Sequence, residues 1–159
     1  MPVATTSIRP CRPGDFEALY RLDQHCFDRR TAYRRSTLRA FLDLPGANCI
    51  VAVAGENVAG FILAAVESGQ GRIITLDVHE QWRRKSFGSQ LLTAAEQELA
   101  ARGVESILLE TATDNLPAIA FWQKHGYRFH GLAQGYYGRG RDAHLMHKLL
   151  TKPAESQKA

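Results

Sequence analysis

A run of three cations leads into a glycine and then directly into an apolar helical pattern. Arg83, Arg84 and Lys85 precede Ser86-Phe87-Gly88, and Leu91 and Leu92 follow. The unpaired N–H groups at a helix N-terminus, together with the positive end of the helix dipole, attract anions. A glycine lets a bulky ligand approach the backbone closely. This pattern predicts a diphosphate site; the alternative is a solvated basic turn before a surface helix.

Two familiar phosphate motifs are absent from this turn. A Walker A loop requires Gly-x-x-x-x-Gly-Lys-Ser/Thr, and a dinucleotide fingerprint requires three glycines where this segment has one. The segment therefore indicates a phosphorylated ligand that is neither ATP nor NAD.

Two carboxylates end apolar strand patterns. Glu110 ends "SILLE", where an apolar setting raises the pKa of a carboxyl toward the working range of a general base. A solvent-exposed strand-end glutamate is the alternative reading. Asp77 near the end of "RIITLDV" is either a second carboxylate near a reacting amine or simply a polar strand end. The six histidines share no ligand spacing and the three cysteines form no CxxC pair, so we predict no metal.

Periodicity and turn residues predict the elements that hold these side chains. The sequence "PGDFEALYRLDQHCF" predicts a first helix, and "RRSTLRAFLDLPG" predicts a second that ends at Pro45-Gly46. Two more helices are expected over Gly88–Arg102 and within "DNLPAIAFWQKHG". The predicted strands are Thr6–Pro10, "NCIVAVA", "VAGFILAAV", "RIITLDV", "ESILLET", "YRFHGLA" and "AHLMHKLL". This order favours an α/β or α+β fold with a mixed sheet.

The bulk composition is that of one globular domain, expected over residues 1–150, with a polar tail at 151–159. A net charge of +4 and a pI near 9.1 favour anionic partners without requiring nucleic acid. We found neither a leader pattern nor an apolar run of membrane-span length, so we expect a cytoplasmic protein that does not bind membranes.

Two segments resemble the signatures of the GCN5-related N-acetyltransferase (GNAT) family. "VHEQWRRKSFGSQLL" is similar to its acetyl-CoA motif, Arg/Gln-x-x-Gly-x-Gly/Ala, with Arg83 in the first place and Gly88 in the last. "LLETATDNLPAIAFWQKHGYRF" resembles its second signature, an Asn followed by an aromatic-rich helix ending in Gly-Tyr/Phe. The similarity runs from about Gly71 to Leu149 and is closest to the ribosomal-protein-alanine N-acetyltransferases. It implies a mixed, mostly antiparallel central sheet flanked by about four helices.

The resemblance also implies roles for single residues. Glu110 matches the family's proton acceptor, and the backbone N–H of Val78 matches a donor to the thioester oxygen. In the resembling branch, a tyrosine at the place of Tyr136 or Tyr137 lines the peptide channel; packing is the alternative for both. The residues expected to contact acetyl-CoA are Leu76, Asp77, Val78, Arg83, Arg84, Lys85, Ser86, Phe87, Gly88, Ser89, Asn115 and Trp122.

Two positions depart from the family pattern. Ser86 replaces the first glycine of the turn; at positive φ it would cost about 1–2 kcal/mol, and otherwise its hydroxyl is a further donor to phosphate. Trp122 stands where this branch has a tyrosine that protonates the leaving thiolate, and an indole cannot supply that proton. We therefore expect Trp122 to form a wall of the CoA channel and Tyr137, Tyr136 or solvent to supply the proton, with Tyr137 favoured.

The sequence predicts an acetyl-CoA-dependent N-acetyltransferase acting on a primary amine, foremost a protein N-terminal α-amine. The alternatives are a small-molecule amine acceptor and a non-catalytic acyl-CoA-binding module. A nucleic-acid-binding domain is disfavoured because no aromatic and basic sheet pattern is present. The arginine run at 29, 30, 34, 35 and 39 is either a recruiting surface for an acidic partner or a solvated helix face. The expected oligomeric state is a monomer or a homodimer.

Overall fold

The computed structural model describes residues 5–150 of the chain. It resolves into two compact units. The first takes in the described residues up to Ala65 together with Ile74–Ala95, and the second takes in Val66–Ile73 together with the described residues from Glu96 onward. Two strands (Asn57–Glu67 and Gln70–Val78) and one helix (Phe87–Ala101) have residues in both units, so each unit is described by its own residues.

Seven strands and four α-helices are present within residues 5–150. The strands are β1 (Thr6–Pro10), β2 (Ala47–Ala54), β3 (Asn57–Glu67), β4 (Gln70–Val78), β5 (Ser106–Ala112), β6 (Arg128–Ala133) and β7 (Ala143–Leu149). The helices are α1 (Phe16–Cys26), α2 (Arg35–Leu42), α3 (Phe87–Ala101) and α4 (Leu116–Lys124). The predicted fold class is confirmed, because the strands pair mainly antiparallel and four helices accompany them.

In the first unit the strand order is β1-β2-β3, followed by the later part of β4. β1 pairs antiparallel with β2, and β2 pairs antiparallel with β3. The apolar faces of α1 and α2 pack on these strands in one cluster: Phe16, Leu19, Leu22, Leu38, Val51, Phe61 and Leu63. Gly60 allows close packing there, because a Cβ at this position would lie 2.7 Å from the carbonyl oxygen of Asp77.

In the second unit the early part of β4 is followed in order by β5, β7 and β6. β4 pairs with β5 in parallel at Gly71–Ile107 and Arg72–Leu108. β5 and β7 pair antiparallel along seven residue pairs, and β6 pairs antiparallel with β7. A Cβ at Gly71 would lie 3.2 Å or less from Val104, Ile107 and Leu99, so the end of α3 packs tightly on this part of the sheet.

The predicted single domain over 1–150 stays a prediction, and the predicted tail at 151–159 lies outside the described residues. No helix within residues 5–150 has the length and apolar character needed to cross a membrane.

Candidate functional site

The basic turn connects β4 to α3 through a short 3-10 helix, Glu80–Trp82. Arg83, Arg84, Lys85 and Ser86 are exposed, whereas Phe87 is buried and packs edge-on against the Trp82 ring at 6.0 Å. This contact packs the first turn of α3 against Trp82, directly after the four exposed residues of the turn. The helix N-terminus and its preceding cations are therefore fixed in place while remaining open to solvent.

Two residues of the turn have left-handed backbone conformations. Arg84 has φ 61° and Ser86 has φ 68°. Turns of this kind direct successive backbone N–H groups into a concave anion site. Of the two possibilities for Ser86, the positive φ is therefore the one observed. Serine occupies a position that favours glycine, with an expected conformational cost of about 1–2 kcal/mol.

Arg83 turns back toward the strand from which the turn emerges. Its Nε donates a hydrogen bond to the carbonyl oxygen of Val78 at 2.9 Å, and the Cys26 thiol contacts the same oxygen at 3.5 Å. Arg83 therefore holds the end of β4 in addition to adding positive charge. Leu76 and Val78 lie on the half-buried face of β4, opposite the buried face that carries Asp77.

Asp77 forms a buried carboxyl pair with Asp23 of α1. Both are fully or almost fully buried, Asp23 Oδ1 and Asp77 Oδ2 have no hydrogen-bond partner within residues 5–150, and each carboxyl influences the pKa of the other. Thr75 Oγ1 donates to Asp77 Oδ1 at 2.5 Å, and the N–H of Tyr33 donates to Asp23 Oδ2 at 2.7 Å. Burial, followed by the charge of Asp23, raises the pKa of Asp77 well above its ordinary range. Burial also raises the pKa of Asp23, so the pair holds a proton in common, and one proton between the carboxyls gives both unpartnered oxygens a hydrogen bond.

In the second unit Glu110 lies on β5 with its side chain mostly buried. Arg72 Nη2 donates to Glu110 Oε2 at 3.1 Å and to Tyr136 Oη at 3.0 Å. The register explains this contact, since Arg72 pairs with Leu108, and Leu108 and Glu110 project from the same face of β5. Glu110 is therefore oriented by a strand-borne cation and is not a freely solvated strand end.

Tyr136 and Tyr137 lie in the loop between β6 and β7. The loop is closed by its own hydrogen bonds: Tyr137 N to Arg141 O at 3.0 Å, Gly138 N to Gly135 O at 3.0 Å, and Gly135 N to Asp142 Oδ1 at 2.8 Å. The two tyrosine rings meet edge-on at 4.8 Å. Burial, then Tyr136 and Glu110, raise the pKa of the Tyr137 hydroxyl, so this phenol keeps its proton.

Asn115 and Trp122 both belong to α4. Asn115 is the N-cap, with Oδ1 accepting from the N–H of Ala118 at 3.2 Å, and its expected contact with CoA stays a prediction. Trp122 is buried, and its ring packs edge-on against Tyr127 at 5.4 Å. The Tyr127 hydroxyl donates to Glu96 Oε2 at 2.8 Å. The indole is thus a core contact of the second unit, and its expected role as a channel wall is untested.

The basic run at 29, 30, 34, 35 and 39 lies partly against aromatic rings. Arg35 stacks over the Tyr20 ring at 4.4 Å and Arg39 over the Phe16 ring at 3.8 Å, so two arginines of the basic run pack on α1. Within residues 5–150 no group of three or more His, Cys, Asp or Glu side chains has a metal-binding arrangement.

Two residues of these clusters were missed in the sequence. Arg72 is a lone cation in an apolar strand pattern, and Asp23 follows Leu19 by four residues on the apolar stripe of α1. A charge at a position expected to be buried was the available signal in both cases.

The chain matches the Acetyltransferase (GNAT) family over residues 16–127, which include β4, the basic turn, β5 and α4. This chain belongs to the GNAT family. It is 30% identical to an N-alpha-acetyltransferase of Saccharolobus solfataricus over 118 residues, 66% of this chain and 71% of the relative. The solved structure of Ard1 from Thermoplasma volcanium is 27% identical with a TM-score of 0.85, covering 92% of this chain and 99% of that one.

The structure of the ribosomal-protein-S18-alanine N-acetyltransferase from Escherichia coli shares the fold of this GNAT member. Its TM-score is 0.83 at 21% identity, covering 98% of this chain and all of that one. The predicted family, the predicted enzyme class and the predicted cosubstrate are confirmed by family membership: the chain is an N-acetyltransferase that uses acetyl-CoA.

Proposed function

We propose that this enzyme transfers the acetyl group of acetyl-CoA to the α-amine of a protein N-terminus, with Glu110 as the proton acceptor. The observation that carries the proposal is the ion pair between Glu110 and Arg72. It fixes the orientation of a partly buried carboxylate on β5. The name of the Saccharolobus relative, an N-alpha-acetyltransferase, supports the choice of acceptor.

The turn at 83–86 and the first turn of α3 fit the diphosphate of CoA. Arg84 and Lys85 supply exposed positive charge, and the first turn of α3 supplies backbone N–H groups that have no intrahelical partner. Gly88 lies on the first turn of α3 without a side chain to exclude the ligand. The chemistry of this donor set, cations plus backbone N–H groups, suits a doubly charged phosphate anion.

The amine must lose a proton as its nitrogen bonds to the thioester carbonyl carbon and the carbon–sulfur bond breaks. Glu110 is the base in our proposal: Arg72 occupies its Oε2, which leaves Oε1 for the amine proton. The N–H of Val78 is the proposed donor to the carbonyl oxygen, which gains negative charge in the transition state.

The departing thiolate needs a hydrogen bond and finally a proton. Because the pKa of Tyr137 is raised, full transfer of its proton to a thiol whose ordinary pKa is about 8.5 is uphill. We therefore propose that Tyr137 donates a hydrogen bond and that water supplies the proton, a narrower role than the sequence suggested.

An acceptor panel tests the proposal. Purified protein and acetyl-CoA are combined with peptides bearing a free α-amine, with polyamines, with aminoglycosides and with amino acids, and the release of free thiol is measured. The proposal expects turnover with the peptides and little with the other classes. Turnover confined to a small amine would reassign the acceptor, and CoA binding without thiol release from any acceptor would indicate a non-catalytic module.

A further inference from the structure

Cys11, the residue after the end of β1, lies directly opposite Cys49 of β2. The antiparallel register of β1 and β2 runs from Thr6–Ala54 to Pro10–Ile50. Its next pair is Cys11–Cys49, and the N–H of Cys11 donates to the carbonyl oxygen of Cys49 at 2.9 Å. Directly opposite residues of an antiparallel pair have Cα atoms about 4.5–5.5 Å apart. That spacing lies inside the range of about 4.4–6.8 Å that a disulfide spans.

The two side chains also share one face of the sheet. Both cysteines pack against the core cluster of the first unit, as expected for residues directly opposite in a sheet. Both are free thiols of intermediate exposure. The two thiols are in side-chain contact, and neither is fully buried, so small reagents can reach them.

The surroundings distinguish the two thiols. The hydrogen bond from the Cys49 thiol lowers the pKa of Cys11, with Arg9 adding to the effect and burial opposing it. The same contact, followed by burial, raises the pKa of Cys49. Asp15 opposes ionisation of Cys11, but its carboxylate is held by Arg9 through Nη1 at 2.8 Å and Nη2 at 3.0 Å. Of the two thiols, Cys11 is therefore the one that loses its proton more readily and supplies the nucleophilic thiolate.

We propose that Cys11 and Cys49 are a site of reversible oxidation, at which a hydroperoxide converts the two thiols into an intramolecular disulfide. The Cys11 thiolate attacks one peroxide oxygen and the O–O bond breaks. The departing hydroxide takes up the proton that the thiol released, so a sulfenic acid and one water result. Cys49 then attacks the Cys11 sulfur, the S–S bond forms, and the sulfenic oxygen leaves as a second water. Two thiols and one hydrogen peroxide give one disulfide and two waters, so the peroxide takes up the two electrons.

Cys26 provides an internal control. Its thiol contacts the carbonyl oxygen of Val78 at 3.5 Å, and burial raises its pKa to about 12. This third thiol stays protonated at neutral pH and should react last. The oxidation site is independent of the acetyl-transfer chemistry, since neither Cys11 nor Cys49 belongs to the groups assigned to it.

The test uses the full-length protein treated with hydrogen peroxide. Free thiols are counted after denaturation, the intact mass is measured, and the disulfide is mapped by peptide mass spectrometry without reduction. The proposal expects two of the three thiols to be lost together, a Cys11–Cys49 peptide, a monomer on a non-reducing gel, and full recovery with dithiothreitol. Oxidation should also raise the melting temperature, because the bond closes the long loop that carries α1 and α2.

Two variants sharpen the result. Cys26→Ser should lose both remaining thiols at the wild-type rate, and Cys49→Ser should leave Cys11 as a sulfenic acid that dimedone traps. Equal loss of all three thiols in the wild type, a mapped disulfide involving Cys26, or a disulfide only between two chains would overturn the proposal.

Discussion

Arg72 and Glu110 form an ion pair across the two strands that pair in parallel, with Nη2 of the arginine 3.1 Å from Oε2 of the glutamate. The same nitrogen donates to the Tyr136 hydroxyl at 3.0 Å. One cation thus orients the proposed base and a proposed substrate-contacting tyrosine together. Since Arg72 projects from a paired strand, this arrangement exists before any substrate binds.

Replacing Arg72 should impair catalysis without unfolding the protein. Arg72→Gln removes a charge-assisted hydrogen bond worth about 1.5–3 kcal/mol. We therefore expect kcat/KM to fall by about tenfold to a hundredfold. Arg72→Lys keeps the charge with fewer directed donors and should retain more activity. Steady-state rates and melting curves on both variants check this. A wild-type kcat/KM in Arg72→Gln would show that Arg72 does not orient the catalytic base.

The left-handed conformation of Ser86 predicts a stabilising substitution. Ser86→Gly relieves the positive-φ cost, although the more flexible unfolded glycine chain offsets part of it. We expect the free energy of unfolding to rise by about 1 kcal/mol. Ser86→Ala is the matched control, because alanine carries the same Cβ and should give no such gain. Urea denaturation of the ligand-free protein distinguishes the two, and destabilisation by glycine would argue against a left-handed residue 86.

The basic turn should account for the salt dependence of CoA binding. Calorimetry is expected to show that Arg84→Ala and Lys85→Ala weaken CoA far more than dephosphorylated pantetheine, since only CoA carries the phosphates. Binding of CoA should also weaken with rising salt. Arg128→Ala, an exposed cation on β6, serves as the control and should leave both affinities unchanged. Equal weakening of both ligands by the turn variants would mean that the turn does not bind phosphate.

The Asp23–Asp77 pair predicts how stability changes with pH. The pKa of Asp77 is raised in the folded protein, so the folded state keeps a proton that the unfolded state has already lost. Stability therefore falls as pH rises from the ordinary Asp pKa of about 3.9 toward the folded value. Asp77→Asn replaces the proton with a permanent N–H donor and should flatten this decline.

Urea denaturation from mildly acidic to mildly alkaline pH measures the effect. Asp43→Asn, at the exposed C-terminal end of α2, is the matched control and should follow the wild type. If Asp77→Asn and the wild type lose stability in parallel, the carboxyls do not share a proton.

Local patterns were sufficient to predict most of the fold. β1 lies at Thr6–Pro10 as predicted, and α3 begins at Phe87, one residue before the predicted start. Alternation along strands and caps at helix ends are short-range signals, and both motifs of the family are contiguous in the chain. For that reason the sequence alone was sufficient to predict the basic turn, the strand position of Glu110 and the capping role of Asn115.

Long-range pairing was not accessible in the same way. Asp23 and Asp77 are 54 positions apart, and Arg72 is separated from Tyr136 by 64. Such contacts depend on strand register and on the face of α1 that packs inward, which the local sequence does not specify. Trp122 shows the same limit, because its partner Tyr127 follows a turn whose geometry determines what the indole covers.

The most direct test of the central claim assays two forms of one peptide with each of two proteins. The peptide carries a free α-amine and an internal lysine, or the same sequence with its α-amine blocked, and the proteins are the wild type and Glu110→Gln. Acetylated positions are mapped by mass spectrometry, kcat is taken from thiol release, and acetyl-CoA affinity is measured in parallel. We predict acetylation of the free α-amine alone and a kcat lower by about 10²–10⁴-fold in Glu110→Gln, with affinity for acetyl-CoA unchanged. Equal transfer to the lysine of the blocked peptide, or near-native turnover by Glu110→Gln at neutral pH, would contradict the account.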